Sequence, residues 1–188
     1  ALLGERASIV LDDLADPDSA IDILNRALED DPGNDRVLTL LEKVYTMRVD
    51  WDSVVEILER RNVHAASTEE RAGVYVRIAD VVLEQLQDSD RAVENFEKAL
   101  ECIPGDVQTA DRLARLYLDR EDWVKSEALL SMIVNRAPED VADEWRAELY
   151  YNLGLSLENL LRPQEALREY ESAYELVPND LKVMRALG

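Results

Sequence analysis

The chain contains one cysteine and one histidine, and these two scarcities remove most active-site chemistry. Cys102 alone cannot close an internal disulfide and gives no sign of a secreted framework. His64 has no second histidine for an HExxH zinc pair and no cysteine matched to it as a nucleophile pair. On the tail of a helix it reads as a solvated or loosely packed residue, and Cys102, near the end of another helix, as a small packing residue. No CxxC is present for structural zinc, and no GxxxxGK[ST] run is present to cradle phosphate. Aspartates gather at Asp12, Asp13, Asp16 and Asp18, and at Asp30, Asp31 and Asp35. They lack the glycine and terminal glutamate of a calcium loop and read as helix caps and solvated faces. The expectation is a chain that is not an enzyme and holds no cofactor and no metal.

Positive charge is also scarce. Twenty-one Lys and Arg face 41 Asp and Glu, a formal net charge of −20, which repels phosphate backbones and anionic lipid surfaces. Nucleic acid is therefore not expected as a partner. Apolar runs fall far short of a membrane span, so no membrane insertion is expected. Glycine and proline number six each, alternating β-branched runs are missing, and Ala, Leu, Glu and Arg are abundant, which favours helix. The chain opens on Ala1 rather than Met and shows no signal peptide; it reads as processed or trimmed, so the missing signal says little about the full-length protein. The compartment stays open, with a cytoplasmic setting slightly favoured.

What is present is a repeated pattern, clearest in the 34 residues from Ala147 to Asp180, AELYYNLGLSLENLLRPQEALREYESAYELVPND. Tyr150, Leu153, Gly154 and Leu157 fall at i, i+3, i+4 and i+7, one stripe of a first helix. Ala166, Tyr170 and Ala173 make the matching stripe of a second helix. Gly154 and Ala166 let the two backbones approach closely, while Tyr150, Leu153 and Tyr170 fill the space around them. Pro178 ends the unit. This length and pattern resemble the tetratricopeptide repeat (TPR) family.

The pattern recurs in register at about 1–34, 35–68, 72–106, 107–140 and 147–180. The first unit carries Ala7, Ser8 and Leu11, then Ala20, Leu24, Ala27 and Pro32, with Asp16 and Pro17 as cap and first helical residue. In the second, Leu38, Leu41, Val44 and Tyr45 precede Asp50 and Trp51, then Val54 and Leu58. Here Glu42 and Arg61 stand where the family pattern has small residues and no proline closes the unit. Looser or differently angled packing and a helix running on towards His64 are expected there, followed by a capping box at Ser67–Glu70. The third carries Tyr75, Ile78, Ala79 and Val82, then Ala92, Phe96, Ala99 and Pro104, with one extra residue in the turn near Asp88. The fourth has Ala110, Leu113, Ala114 and Tyr117, then Trp123, Ser126, Leu130, Ile133 and Pro138. Trp51 and Trp123 share a repeat position and read as packing residues. Val141–Arg146 are inserted before the fifth unit and should lengthen its first helix; Trp145, within them, is either a packing residue or an exposed contact. Asn34, Asp106, Asp140 and Asp180 share the last repeat position and should cap the next helices. Residues 181–188 begin a sixth first helix that stops halfway, so the chain reads as a slice of a longer array, whose apolar end helix would be exposed.

The resemblance implies an all-α fold, a right-handed α-solenoid of antiparallel helix pairs, forming a single array over residues 1–188. It also implies a protein-interaction scaffold whose first helices line a concave groove for a peptide or partner helix. First-helix positions pointing off the stripe supply the candidate groove residues: Lys43, Met47, Val76, Leu83, Arg115, Leu118, Tyr151 and Leu155. Tyr151 and Leu155 are the strongest anchor candidates, since aromatic side chains dominate binding hot spots; the equal alternative is that they pack on the lengthened helix. Lys43, Arg77, Arg112 and Arg115, with Asn152 at the position of Arg77 and Arg112, could form a basic stripe for a carboxylate or an acidic peptide segment. Pairing of those arginines with Asp80, Asp111 and Asp119 is the favoured alternative, given how acidic the neighbourhood is. Glu5 and Ile9 stand where some TPR proteins hold a C-terminal carboxylate with Lys and Asn, so that clamp is not reproduced. The alternative function is a structural module that self-associates through exposed array ends.

Overall fold

The computed structural model describes residues 17–138 and 140–188, and among them the chain forms ten helices and no strand. They are α1 (Pro17–Asp30), α2 (Asp35–Met47), α3 (Trp51–His64), α4 (Thr68–Glu84), α5 (Ser89–Cys102), α6 (Val107–Asp119), α7 (Trp123–Arg136), α8 (Asp143–Asn159), α9 (Pro163–Leu176) and α10 (Leu181–Leu187). The expected first helix of the first unit, with Ala7, Ser8 and Leu11, lies outside the described residues. The chain divides into two compact units, Ala1–Cys102 and Ile103–Gly188. Within each, every helix packs on the next one along the chain.

Helix ends follow from residue chemistry. α1, α5, α7 and α9 each stop two residues short of Pro32, Pro104, Pro138 or Pro178, because the residue before a proline is pushed out of the helical region. α3 has no such proline and runs on to His64, as expected. At its end His64 is exposed, and its ring lies where a side chain on Gly33 would sit.

The turns inside the repeats share one construction. After α2, Val49 takes φ 59°, its N–H bonds to Thr46 O at 3.0 Å, and the Asp50 N–H reaches back to Tyr45 O at 3.0 Å. This pair of bonds around a left-handed residue satisfies the last carbonyls of a helix. Asp50 then caps α3 by accepting from the Ser53 N–H at 3.3 Å. Glu121 and Asp122 repeat the bonds and the cap before α7, and Leu161 and Arg162 repeat the bonds, without a side-chain cap, before α9. In the third unit the Asp88 N–H reaches to Val82 O, one residue further back, which locates the extra residue expected in that turn.

The stripe residues form the core. Leu38, Leu41, Val44 and Leu58 are buried in the first unit, and Leu113, Leu130, Ile133 and Leu153 in the second. Each such side chain contributes about 1.5–3 kcal/mol by leaving water. Gly154 marks a close approach of two helices: a Cβ there would sit 2.6 Å from the Tyr170 ring. Tyr170 fills the gap that the glycine leaves, and its hydroxyl donates to Glu158 Oε2 at 2.8 Å.

Three expectations need correction. Glu42 and Arg61 do not loosen the second repeat; Arg61 donates to Glu42 Oε2 at 3.0 Å and to Asp35 Oδ1 at 2.9 Å. Two departures from the small-residue pattern thus meet as a partly buried ion pair. Asp140 is not a cap, because the insertion moves the helix start to Asp143, where Ala142 stands at the N-cap without a side-chain acceptor. The other three members of the set do cap: Asn34, Asp106 and Asp180 accept from the N–H groups of Val37, Thr109 and Lys182. Cys102 is half-exposed rather than a buried packing residue.

Candidate functional site

The candidate residues divide between the two units. In the first unit α2 carries Lys43 and Met47, and α4 carries Val76, Arg77 and Leu83. Lys43 and Arg77 are exposed, Val76 and Leu83 are half-buried, and Met47 is 60% exposed, unusual for a large apolar side chain. In the second unit α6 carries Arg112, Arg115 and Leu118, and α8 carries Tyr151, Asn152 and Leu155. All of these are half-buried except Arg115, which is exposed.

The arginines are engaged by acids. Arg77 Nε donates to Glu42 Oε1 at 3.1 Å, so that carboxylate holds Arg61 and Arg77 together. Arg115 forms a fork with Glu148, at 3.0 and 3.1 Å, and also donates to Asp111 Oδ2 at 3.2 Å. Hydrogen bonding to Glu148 raises the Arg115 pKa further above its ordinary value, with Asp111 adding to the effect. Of the three acids expected as partners, Asp111 pairs with Arg115; Glu42 and Glu148 were not foreseen. Both lie about one repeat from their arginines, 35 residues for Arg77 and 33 for Arg115. Opposite charges one repeat apart are the sequence signal that could have found them.

Two pockets open in the second unit. The smaller, about 200 Å³, lies between α8 and α10 and is lined by Glu144, Ala147, Glu148, Tyr151 and Asn152 of α8, with Val177, Asp180, Lys182 and Val183 completing it. Two expected groove residues, Tyr151 and Asn152, thus meet at one cavity. Tyr151 is braced from behind by Tyr170, ring centroids 5.7 Å apart and tilted 42°. Tyr151 thus packs against Tyr170 of α9 and also lines an opening. Leu155 is not among the lining residues.

The larger pocket, about 910 Å³, is mainly apolar, with Ile103, Pro104, Val107, Pro138 and Val141 beside Trp145. Trp145 is half-buried and forms part of this wall. Gly105, at φ 95°, leaves the space that Arg136 occupies, and Arg136 donates to Pro104 O at 3.2 Å. Among the described residues no helix is long and apolar enough to cross a membrane.

The tetratricopeptide repeat family model matches residues 7–187. The chain belongs to the tetratricopeptide repeat family. TPR proteins are generally non-catalytic scaffolds that bind protein partners, and the helix pairs described here are the units of that α-solenoid fold. Solved TPR structures share the fold at low identity. YrrB, a TPR protein with an unusual peptide-binding site, is 14% identical with a TM-score of 0.61, covering 98% of this chain and 89% of its own. MamA from Desulfovibrio magneticus RS-1 is 20% identical with a TM-score of 0.60, covering 81% and 80%. Superkiller protein 3 of Schizosaccharomyces pombe is 23% identical over 130 residues, 69% of this chain. The chain spans only 9% of that relative's length.

Proposed function

We propose that this TPR chain holds an extended peptide or a partner helix on the face formed by its first helices. Lys43, Met47, Val76, Arg77 and Leu83 would contact it in the first unit, and Arg112, Arg115, Leu118, Tyr151, Asn152 and Leu155 in the second. The observation that carries this reading is the pocket at which Tyr151 and Asn152 meet, bounded by successive first helices α8 and α10. Packing holds the anchor in place before a partner arrives, since Tyr151 rests on Tyr170; preorganisation of this kind lowers the ordering cost of binding. The solved structure of YrrB, with its peptide-binding site, is in keeping with this reading.

The arginines have a revised part in it. Arg77 and Arg115 already hold Glu42 and Glu148, so a partner carboxylate would have to displace an existing ion pair. Their role becomes one of shaping the surface rather than gripping an acidic segment.

Photo-crosslinking in lysate of the source organism tests the reading. A photoreactive amino acid replaces Met47 or Tyr151 on the first helices, or Tyr174 on α9 as a second-helix control. The expected result is a discrete captured protein from the Met47 and Tyr151 positions and none from Tyr174. Capture from Tyr174 alone would move recognition to the second helices. A second reading, self-association, is favoured by α10, where Leu181 is 66% and Met184 48% exposed; mass that rises with concentration in light scattering would support it.

A further inference from the structure

The pocket between α8 and α10 has a chemistry of its own, and it differs from the acidic partner expected of an arginine stripe. Its lining includes two buried apolar residues, Ala147 and Val183. One wall is the Tyr151 ring, held by Tyr170. Its rim carries the carboxylates of Glu144, Glu148 and Asp180, against Lys182 as the cation among the lining residues. We infer that this pocket receives an arginine side chain of the bound partner. The inference rests on the groove reading above and names what that groove recognises.

Each part of an arginine has a counterpart. Its aliphatic stem is apolar and matches Ala147 and Val183, as long basic side chains commonly bury their stems. Its guanidinium is a planar cation that is attracted to the face of a tyrosine ring. Carboxylates on the rim accept its N–H groups, and the geometry of the fork favours arginine over lysine. The existing fork between Arg115 and Glu148 shows the same face already pairing a guanidinium with a carboxylate. Glu144, at the first turn of α8 and exposed, is the rim acid that a newcomer meets. A cavity of about 200 Å³ suits a single large side chain rather than a folded surface. The net charge of −20 acts in the same direction, steering basic segments towards the chain and acidic ones away.

Retention of oriented peptide pools tests the proposal. Nine-residue pools are randomised except at a central residue, which is arginine, citrulline, glutamate or leucine. Each is passed over the immobilised full chain and over its Glu144→Gln/Glu148→Gln variant. The expected result is retention of the arginine pool about fivefold above the citrulline and glutamate pools, the scale of a partly exposed ion pair, with that preference lost in the variant. Circular dichroism and the unfolding midpoint of the variant separate loss of the pocket from loss of the fold. Equal retention of all four pools by the native chain would overturn the arginine assignment and leave the groove reading standing. A leucine preference that the variant keeps would do the same. Retention of no pool would overturn the peptide-groove reading as well.

Discussion

At the residue scale the turns hold stored strain. Val49 is β-branched, sits at φ 59° and is 66% exposed, so it bears the cost of a left-handed conformation without gaining packing. Replacing Val49 with glycine should relieve more strain than the added chain entropy costs, for a net stabilisation of about 0.5–1 kcal/mol in urea unfolding. A loss of stability would mean that Val49 packs in a way its exposure does not reveal. Gly154 is the opposite case, with the Tyr170 ring 2.6 Å from where a Cβ would be. Gly154→Ala should cost about 1–3 kcal/mol by overpacking, and an unchanged midpoint would show that the ring has room to move. Tyr170 adds a pH dependence. Burial first, and its hydrogen bond to Glu158 second, raise its pKa above the ordinary 10.0. The folded state therefore favours the neutral phenol. That contribution is whole below the unfolded value of 10.0 and is lost as pH rises from there towards the folded value. Tyr170→Phe removes the group, so the variant should lose less stability than the native chain between about pH 10 and 11, read as unfolding midpoints in urea.

At the scale of elements, much of the repeat was legible because it is local. Apolar spacing at Leu38, Leu41 and Val44, the proline stops at Pro104, Pro138 and Pro178, and the caps Asp50 and Asp106 each act within a few residues of themselves. The rest depends on partners far away in the chain. Glu42 and Arg61 each break the family pattern alone and make sense only together, at 3.0 Å. The left-handed turn positions are occupied by Val, Gln, Glu and Leu, so residue type does not announce them; the packing of the two helices imposes them. Asp140 misled because its repeat position is right while Val141–Arg146 displace the helix it would have capped. Two alanine variants test this last point directly. Asp106→Ala should cost about 1 kcal/mol as a lost cap, whereas Asp140→Ala should stay within about 0.5 kcal/mol of the native chain. Equal losses would mean that Asp140 caps α8 after all. At the candidate site, Tyr151 and Asn152 were readable as off-stripe positions of a first helix. The pocket around them was not, because Asp180 and Lys182 come from the start of the next helix and Glu148 from the repeat's own rim.

At the scale of the whole molecule, charge is the dominant feature, and its two effects oppose each other. A net charge of −20 repels itself in any compact state, a long-range term that salt screens. The ion pairs are a short-range attraction that salt also weakens, but exposed pairs contribute only about 0–1 kcal/mol each. Arg60 with Glu56 and Arg115 with Glu148 both lie at or near the surface. Partly buried pairs such as Glu42 with Arg61 respond little to salt, because counter-ions do not reach them. Repulsion among the surplus carboxylates should therefore win. Raising sodium chloride from about 20 mM to about 0.3 M shortens the screening length from about 20 Å to about 6 Å. The thermal midpoint should rise by roughly 2–5 °C, on the order of 1 kcal/mol for a chain of this size. A midpoint that falls instead would mean that surface pairs, summed over the repeats, outweigh the repulsion. In that case neutralising Glu148 would destabilise the second unit, whereas under the repulsion reading its loss is close to neutral.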